Sequence, residues 1–280
     1  MFLIIYYFLS SLVSSTLGTL IGAGGSAILG PLLLLTETSM GTSIGAKNII
    51  GTSLACVVVN SISGSYRYLN IGTVDIKSGF IFSMIGIPFS ILAALTLIQI
   101  DTSNFKIMFG VTLILITIFM IYQSMKNDVS GDSGNITNLN NKFLSEKRNI
   151  TTKEGQEYEY TFSMGLAAFY NIFLGFIATF FGIGGGIIRT PLLIYISKFP
   201  VKIATATSVF SLLFTSLAGT LVYWIQGFYD FNLFLPAALG ALIGAQMGAQ
   251  VSKYLNGKWI IRILALVLLC MGLLLIAQNL

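Results

Sequence analysis

The chain has 280 residues, of which 55% are hydrophobic and 9% charged, and its mean hydropathy of +0.87 excludes an ordinary soluble domain of this length. Histidine is absent, and Cys56 and Cys270 lie in different apolar runs without C-x-x-C spacing, which argues against zinc sites, disulfide frameworks and histidine proton relays. The net charge of +5 suits small anions and lipid headgroups. The composition predicts an integral membrane protein without metal or cofactor.

Eight apolar runs are long enough to cross a membrane, since about 20 helical residues cover roughly 30 Å of hydrocarbon. In chain order they are residues 2–21, 48–66, 76–99, 105–125, 161–181, 203–226, 231–254 and 259–278. The first run has no Lys or Arg ahead of it, unlike a secretory signal peptide, so we predict that it is retained. Two shorter pieces, 26–36 and 187–197, would each cross about half of the membrane as helices.

Two glycine-rich segments share one pattern. The segment "LIGAGGSAILGPLL" at residues 20–33 matches "FFGIGGGIIRTPLL" at residues 180–193, and the match resumes after the prolines, from Lys47 and from Lys202. The chain therefore divides into a first membrane repeat of four helices at 1–125, a polar connector at 126–160 and a second repeat of four helices at 161–280. We predict that the connector is solvated.

A duplicated unit with a broken helix at the same place in each copy is typical of secondary transporters, whose substrate site lies near the midplane. The alternative is that the glycines only let helices pack closely. We prefer a binding site for the two broken segments, because packing alone does not require a half-length helix and a proline. For Gly240, Gly244 and Gly248, which share one helix face, we prefer packing.

The repeated motifs resemble those of the TauE/SafE sulfite exporter family, also called the TSUP permeases. The resemblance rests on "GAGGSAILGP" and "GIGGGIIRTP", followed by "GTSL" and "TATSVF" and by Gly, Tyr, Gly and Asp at matched spacing. It implies an all-α, multi-pass protein of the cell membrane with about eight transmembrane helices, which moves sulfite, sulfoacetate or another organosulfonate. The sequence departs from the pattern at Ser26, where Gly is expected, and Leu29 stands opposite Arg189.

The glycine-rich breaks are suited to anions, because the N–H groups at the start of a helix carry the positive end of its dipole. Arg189 is the candidate charge partner, since an unpaired guanidinium within the membrane costs several kcal/mol. It could instead snorkel to the interface or pair with a carboxylate. The predicted substrate-binding residues are Gly24, Gly25, Ser26, Lys47, Thr52, Ser53, Gly184, Gly185, Gly186, Arg189, Lys202, Thr207 and Ser208.

Several of these residues also have a structural interpretation. The Ser and Thr hydroxyls could donate to an oxyanion or bond helix carbonyls, and Lys47 and Lys202 could attract anions or anchor at lipid headgroups. Cys56 could meet a sulfur substrate, but a small buried side chain is the preferred interpretation. Asp75 and Asp230 are interpreted as helix caps rather than proton carriers.

The expected function is alternating-access transport of a small sulfur-containing anion. Membrane lipids are the other expected partners, and no nucleic acid is expected to bind. The alternatives are an anion channel and a carrier of carboxylates. No H-E-x-x-H, G-x-S-x-G or P-loop motif indicates an enzyme. If the chain crosses the membrane eight times, Lys and Arg are divided almost evenly between the loops on its two sides, which leaves the orientation open. We expect the half-length pieces to form re-entrant hairpins, which keeps the repeats parallel, whereas pieces that complete a crossing would invert the repeats.

Overall fold

The computed structural model describes residues 2–25, 28–34, 44–99, 105–126 and 145–277, and this part of the chain is mostly helical. The helices are α1 (Phe2–Leu20), α2 (28–34), α3 (Ala46–Ile71), α4 (Ile76–Gln99), α5 (Phe105–Lys126), α6 (Met164–Phe180), α7 (Gly186–Tyr195), α8 (Val201–Ile225), α9 (Phe231–Tyr254) and α10 (Gly257–Ala277). The strands β1 (Ser145–Thr151) and β2 (Glu157–Ser163) lie between α5 and α6.

Each predicted apolar run coincides largely with one of these helices, although residues 161–163 of the fifth run belong to β2. The described residues of the half-length pieces lie mostly in α2 and α7. Within the described residues, five helices are long and apolar enough to cross a membrane, namely α1, α3, α4, α8 and α9. The remaining apolar helices include α6 and α7, which are shorter. The structure is therefore that of a largely all-α membrane protein, while the count of eight spanning helices in two repeats stays a prediction.

The β-hairpin corrects the prediction that the whole connector is solvated. Tyr158, Tyr160 and Phe162 alternate along β2, and all three are buried. The sequence "EYEYTF" has the period of two that is typical of a half-buried strand, although charged residues occupy its other face. Tyr160 and Phe162 pack on Phe199, between α7 and α8, with ring centroids 4.5 and 4.7 Å away. The hairpin thus packs against the helices.

The long central helices α3 and α8 run in opposite directions. Near the start of α3, Thr52 Oγ1 accepts a hydrogen bond from the N–H of Asp230, which follows α8 (2.9 Å). Near the start of α8, Thr207 Oγ1 accepts one from the N–H of Asp75, which follows α3 (3.0 Å). Each helix therefore begins where the other ends. These two sequence-matched helices are therefore inverted.

Phe162, before α6, packs on Phe199, after α7, so α7 returns to the end of the bundle at which α6 begins. This half-length piece folds back as a re-entrant hairpin, and the expectation that such a hairpin keeps the matched helices parallel is wrong, because α6 and α7 together make no crossing.

Helices from the two halves of the chain are interleaved. α1 lies along α9 and α6 along α4, while α3 packs on α9 and α8 packs on α4. The glycines of α9 allow the first of these contacts, since a Cβ at Gly240, Gly244 or Gly248 would collide with a carbonyl oxygen of α1. The packing interpretation of these three glycines is confirmed.

Basic residues gather at one end of the bundle, which we call the hairpin end because β1 and β2 cover it. The opposite end, where α3 begins and α8 ends, has two described Lys or Arg residues, Lys47 and Lys106. Arg189 lies between the ends. The described basic residues of the hairpin end are Arg67, Lys77, Lys126, Lys147, Arg148, Lys153, Lys198, Lys202, Lys253, Lys258 and Arg262.

Candidate functional site

The two glycine-rich breaks meet at the centre of the bundle. Residues 21–25 separate α1 from α2, and residues 181–185 separate α6 from α7. Gly24 and Gly184 have φ angles of 71° and 70°, in the left-handed region that favours glycine. A Cβ on either glycine would contact the same two side chains, those of Val57 on α3 and Leu212 on α8. The breaks predicted from the sequence are therefore present, and they share one location.

Each long helix bonds the break of the other half through a serine. Ser208 Oγ of α8 donates to the carbonyl oxygen of Gly22 at 2.9 Å, and Thr190 Oγ1 of α7 donates to the same oxygen at 3.0 Å. Ser53 Oγ of α3 lies 3.4 Å from the carbonyl oxygen of Gly182. A hydroxyl has a single donor, and in this conformation the donor of Ser208 is used by the carbonyl oxygen of Gly22 in the broken helix.

The glycines of the breaks are closely packed. A Cβ at Gly186 would collide with the carbonyl oxygen of Gly22 and lie 2.7 Å from the backbone of Ala23, so the two breaks are in direct contact. A Cβ at Gly185 would lie 2.5 Å from that of Ala178. Gly25 is packed against Ser15 in the same manner. Close approach is thus one role of these glycines, and Ser26 lies outside the described residues.

Arg189 is a fully buried cation beside the second break. Its exposed fraction is 0%, and its Nε donates to Oδ1 of Asn171 on α6 at 3.0 Å. Asn171 Nδ2 donates to the carbonyl oxygen of Ala167 at 2.7 Å, which orients the amide so that its oxygen faces the guanidinium. Nη2 lies 3.9 Å from the position of a Cβ on Gly86, half-way along α4. Within the described residues, Nη1 and Nη2 have no hydrogen-bond acceptor.

The surroundings of Arg189 do not compensate its charge. No helix in the described parts of the chain contains an Asp or Glu residue. Outside the hairpin, the described acidic residues are Asp75 and Asp230, at the N-termini of α4 and α9. Snorkelling and carboxylate pairing, the two alternatives considered for Arg189, therefore do not describe the buried side chain. An uncompensated charge within a membrane costs several kcal/mol, which makes Arg189 a candidate for ligand binding.

Lys47 and Lys202 lie away from Arg189, near opposite ends of the bundle. Lys202 Nζ donates to the carbonyl oxygen of Lys253 at 3.4 Å and borders a cavity of about 10 Å³. Lys47 Nζ lies 5.8 Å from the centre of the Phe228 ring. A second cavity, of about 30 Å³, lies at that opposite end and is mostly aromatic. The structure thus places Ser53 and Ser208 against the glycine-rich breaks and Arg189 one turn after the second break, and it separates the two lysines from them.

The acidic residues of both caps confirm the interpretation made from the sequence. Asp230 Oδ1 accepts from the N–H groups of Asn232 and Leu233 at 2.8 and 3.1 Å. Asp75 Oδ1 accepts from the N–H of Ser78 at 3.0 Å, and its Oδ2 accepts from the hydroxyl of Tyr160 at 2.8 Å. Burial, and next the charge of Asp75, raise the pKa of Tyr160 above its ordinary value.

Two residues that contribute to the site were missed in the sequence. Asn171 is the one amide in the apolar helix α6, and this isolation is a signal that could have been used. Gly86 lies in an apolar stretch of α4, and its position beside Arg189 depends on a packing that the sequence does not reveal. Cys56 is buried in α3, as the preferred interpretation of that residue predicts.

The chain is similar to known membrane proteins. A probable membrane transporter protein of Bacillus subtilis, YunE, is 28% identical over 270 residues, which cover 96% of this chain and 95% of the relative. A probable membrane transporter protein of Methanocaldococcus jannaschii is 26% identical, with 92% and 89% covered. No solved structure matches.

These relatives indicate a multi-pass membrane transporter rather than an enzyme. The family model of the sulfite exporter TauE/SafE matches residues 7–275, nearly the whole chain. The resemblance noted in the repeated motifs is thereby confirmed, and the chain belongs to the TauE/SafE sulfite exporter family.

Proposed function

We propose that this membrane transporter moves a small sulfur-containing anion, such as sulfite, sulfoacetate or another organosulfonate, by alternating access, and that Arg189 is its main ligand. The observation that carries the proposal is the buried guanidinium, with Nη1 and Nη2 unpaired among the described residues. A guanidinium presents its N–H groups in a planar fork that matches two oxygens of an oxyanion. A bound anion would supply both the missing acceptors and the missing negative charge.

The glycine-rich breaks belong to the same proposal. The first N–H groups of α7 have no partner within their own helix. That helix begins at Gly186, after the N-cap Gly185, and carries Arg189 in its first turn. We propose that Gly184, Gly185 and Gly186 contribute amides when the breaks separate. The other residues predicted for the site, in the first break and on α3 and α8, remain predictions.

Alternating access is supported by the enclosure of the site and by the direction of the helices. Arg189 is 0% exposed, and the two breaks touch, so a ligand requires the bundle to open. Sequence-matched helices that run in opposite directions, such as α3 and α8, are the arrangement in which one half can rock against the other. An open channel would instead require a continuous polar path. The packed centre of this conformation therefore favours a carrier over the channel alternative.

The distribution of charge favours one orientation in the cell membrane. Eleven described Lys and Arg residues lie at the hairpin end, against two at the opposite end, and an excess of positive charge marks the cytoplasmic side. We therefore place the hairpin in the cytoplasm. Single cysteines introduced at Lys153, in the hairpin, and at Gln226, after α8, should differ in their accessibility from outside intact cells. A membrane-impermeant maleimide should label only position 226, and labelling of position 153 would reverse the assignment.

The transport proposal is tested in proteoliposomes with radiolabelled sulfite. Wild-type protein should give saturable uptake and counterflow, competed by small sulfonates. Arg189→Leu introduces the side chain found at the matched position 29 and should abolish uptake. Arg262→Leu removes an exposed cation stacked on Trp259 and should leave uptake unchanged. Uptake that survives in Arg189→Leu would remove Arg189 from the site. Uptake of carboxylates in place of sulfur anions would support the alternative carrier, and non-saturable flux would support a channel.

A further inference from the structure

We infer that the Arg189 site selects singly charged anions, and that Asn171 is the positioning residue that keeps the site cationic. The inference rests on the proposed function and specifies its substrate class. It starts from the number of charges within the bundle. One guanidinium is buried at the centre, and its one described hydrogen-bond acceptor, the Asn171 amide, is neutral.

Apart from Arg189 itself, the described helices packed around it carry charged residues only near their ends. On α4 the one charged residue is Lys77, nine positions from Gly86 and thus roughly 13 Å along the helix. On α8 it is Lys202, near the start of the helix, whereas α6 carries none. On α5, Lys106 and Lys126 lie at the two ends. The hydroxyl of Tyr170 on α6 is engaged with Ser197 Oγ, 2.7 Å away. Among the described residues, the centre therefore holds a single positive charge without a negative partner.

This charge decides which ligands the site can hold. A monoanion forms a neutral complex with the guanidinium, so no net charge is left within the membrane. A dianion leaves one negative charge buried, and such a charge costs several kcal/mol at this depth. Among the sulfur anions proposed above, hydrogensulfite and simple monosulfonates should bind well. The sulfite dianion, sulfate and doubly charged sulfoacetate should bind poorly.

Asn171 provides the geometry for this selection without altering the charge. Its oxygen accepts from Nε, while its Nδ2 is held by the carbonyl oxygen of Ala167. Nε is thereby occupied, and the Nη1 and Nη2 groups remain for two oxygens of a ligand. An aspartate at position 171 would have nearly the same shape but would form an internal ion pair. The guanidinium would then be neutralised without a ligand.

The first test compares two competitors that differ mainly in charge. Both compounds are tested as inhibitors of the uptake of radiolabelled sulfite by the wild-type protein. 2-Hydroxyethanesulfonate is a monoanion, and sulfoacetate is a dianion of similar size. We expect the inhibitory concentration of the monoanion to be at least about tenfold lower than that of the dianion, since each 1.4 kcal/mol is a factor of about ten in affinity. Equal inhibition, or stronger inhibition by sulfoacetate, would overturn the inference while leaving sulfite transport intact. An absence of any uptake by wild-type protein would instead overturn the proposed function.

The second test uses two substitutions at position 171. Both substitutions remove the amide that orients Arg189, but Asn171→Asp should lower uptake about tenfold more than Asn171→Ser, because only the aspartate also neutralises the guanidinium. Serine is the residue at the matched position 11 of the first half. Equal loss in both variants would indicate a structural role only, and full uptake in Asn171→Asp would remove the positioning role. If Asn171→Asp does not fold, the comparison of competitors still decides the charge selectivity.

Discussion

The two broken helices share a backbone design but differ in chemistry at matched positions. After the first break, position 29 is a leucine, fully buried in the hydrophobic core. After the second break, the matched position is Arg189, with Asn171 beside it. The residue that matches Asn171 is Ser11, which donates to the carbonyl oxygen of Ala237 on α9. A glycine-rich break therefore does not by itself define a binding site. The charge and its positioning amide occur in one half, and we expect ligand binding to be asymmetric.

The largest effect should come from moving the charge between the two halves. Leu29→Arg would bury a guanidinium without a prepared acceptor, and we expect it to lower the free energy of unfolding by about 3 kcal/mol or more. Arg189→Leu should leave stability unchanged or raise it, because it removes an uncompensated charge. Thermal unfolding in detergent measures both variants, with Leu29→Met as a volume-conserving control. Equal stability of the two charge variants would contradict the asymmetry.

A second contrast concerns glycines. Gly186→Ala would force the two breaks apart, because a Cβ there collides with the backbone of residues 22 and 23, and overpacking costs about 1–3 kcal/mol. At Gly30 of the first half, a Cβ would lie 3.5 Å from Ser53 Oγ, an ordinary contact. Gly30→Ala should therefore be tolerated. The midpoint of thermal unfolding should fall for the first variant and stay level for the second. A fall in both would mean that α2 is as tightly packed as α7.

A smaller difference in stability is expected for the two threonines that accept hydrogen bonds from the N–H groups of the capping residues Asp75 and Asp230. Thr207→Val leaves the N–H of Asp75 without its acceptor, and Asp75 is 4% exposed. Thr52→Val does the same for Asp230, which is only partly buried. Loss of a partner costs about 1–3 kcal/mol when the remaining group is buried. Thr207→Val should thus lower the free energy of chemical unfolding more than Thr52→Val does. The reverse order would show that water does not reach the N–H of Asp230.

The smallest contrast involves the two serines at the breaks. Ser208→Ala removes a 2.9 Å hydrogen bond to Gly22, whereas Ser53→Ala removes a 3.4 Å contact with Gly182. Ser53 also lies 3.0 Å from the carbonyl oxygen of Ile50 in its own helix. We expect Ser208→Ala to cost about 1 kcal/mol and Ser53→Ala less. Hydrogen exchange at the break should rise more in the first variant, and equal exchange would contradict the difference.

Much of the fold could be predicted from local sequence, because the membrane imposes a length and an apolar composition on each helix. The breaks were predicted from glycines followed by a proline, and the caps from Asp75 and Asp230. The direction of α8 relative to α3 could not be predicted, because it depends on whether the two helices around each break together make a crossing. The hairpin was missed because the charges on one face of β2 conceal the aromatic alternation on the other.

The candidate site was only partly predictable. Arg189 could be chosen from the sequence, because a guanidinium in an apolar piece requires an explanation. Its burial, its unpaired Nη1 and Nη2 and its neighbour Asn171 could not, since they depend on how α6 folds back on α7. Lys47 and Lys202 occupy matched positions in the sequence, but the opposite directions of α3 and α8 place them at different ends of the bundle.

The hairpin also has a mechanical consequence. Tyr160 bonds Asp75 at the start of α4 and packs on Phe199 in the turn between α7 and α8. Arg148 of β1 adds a charge contact with Asp75, 3.5 Å away. Two junctions that are distant in the chain are thereby fastened to one rigid element, and they cannot separate without uncovering these rings. Alternating access requires the hairpin end to open as well, so we expect the hairpin to be displaced or these ring contacts to be remade each time the site faces this side.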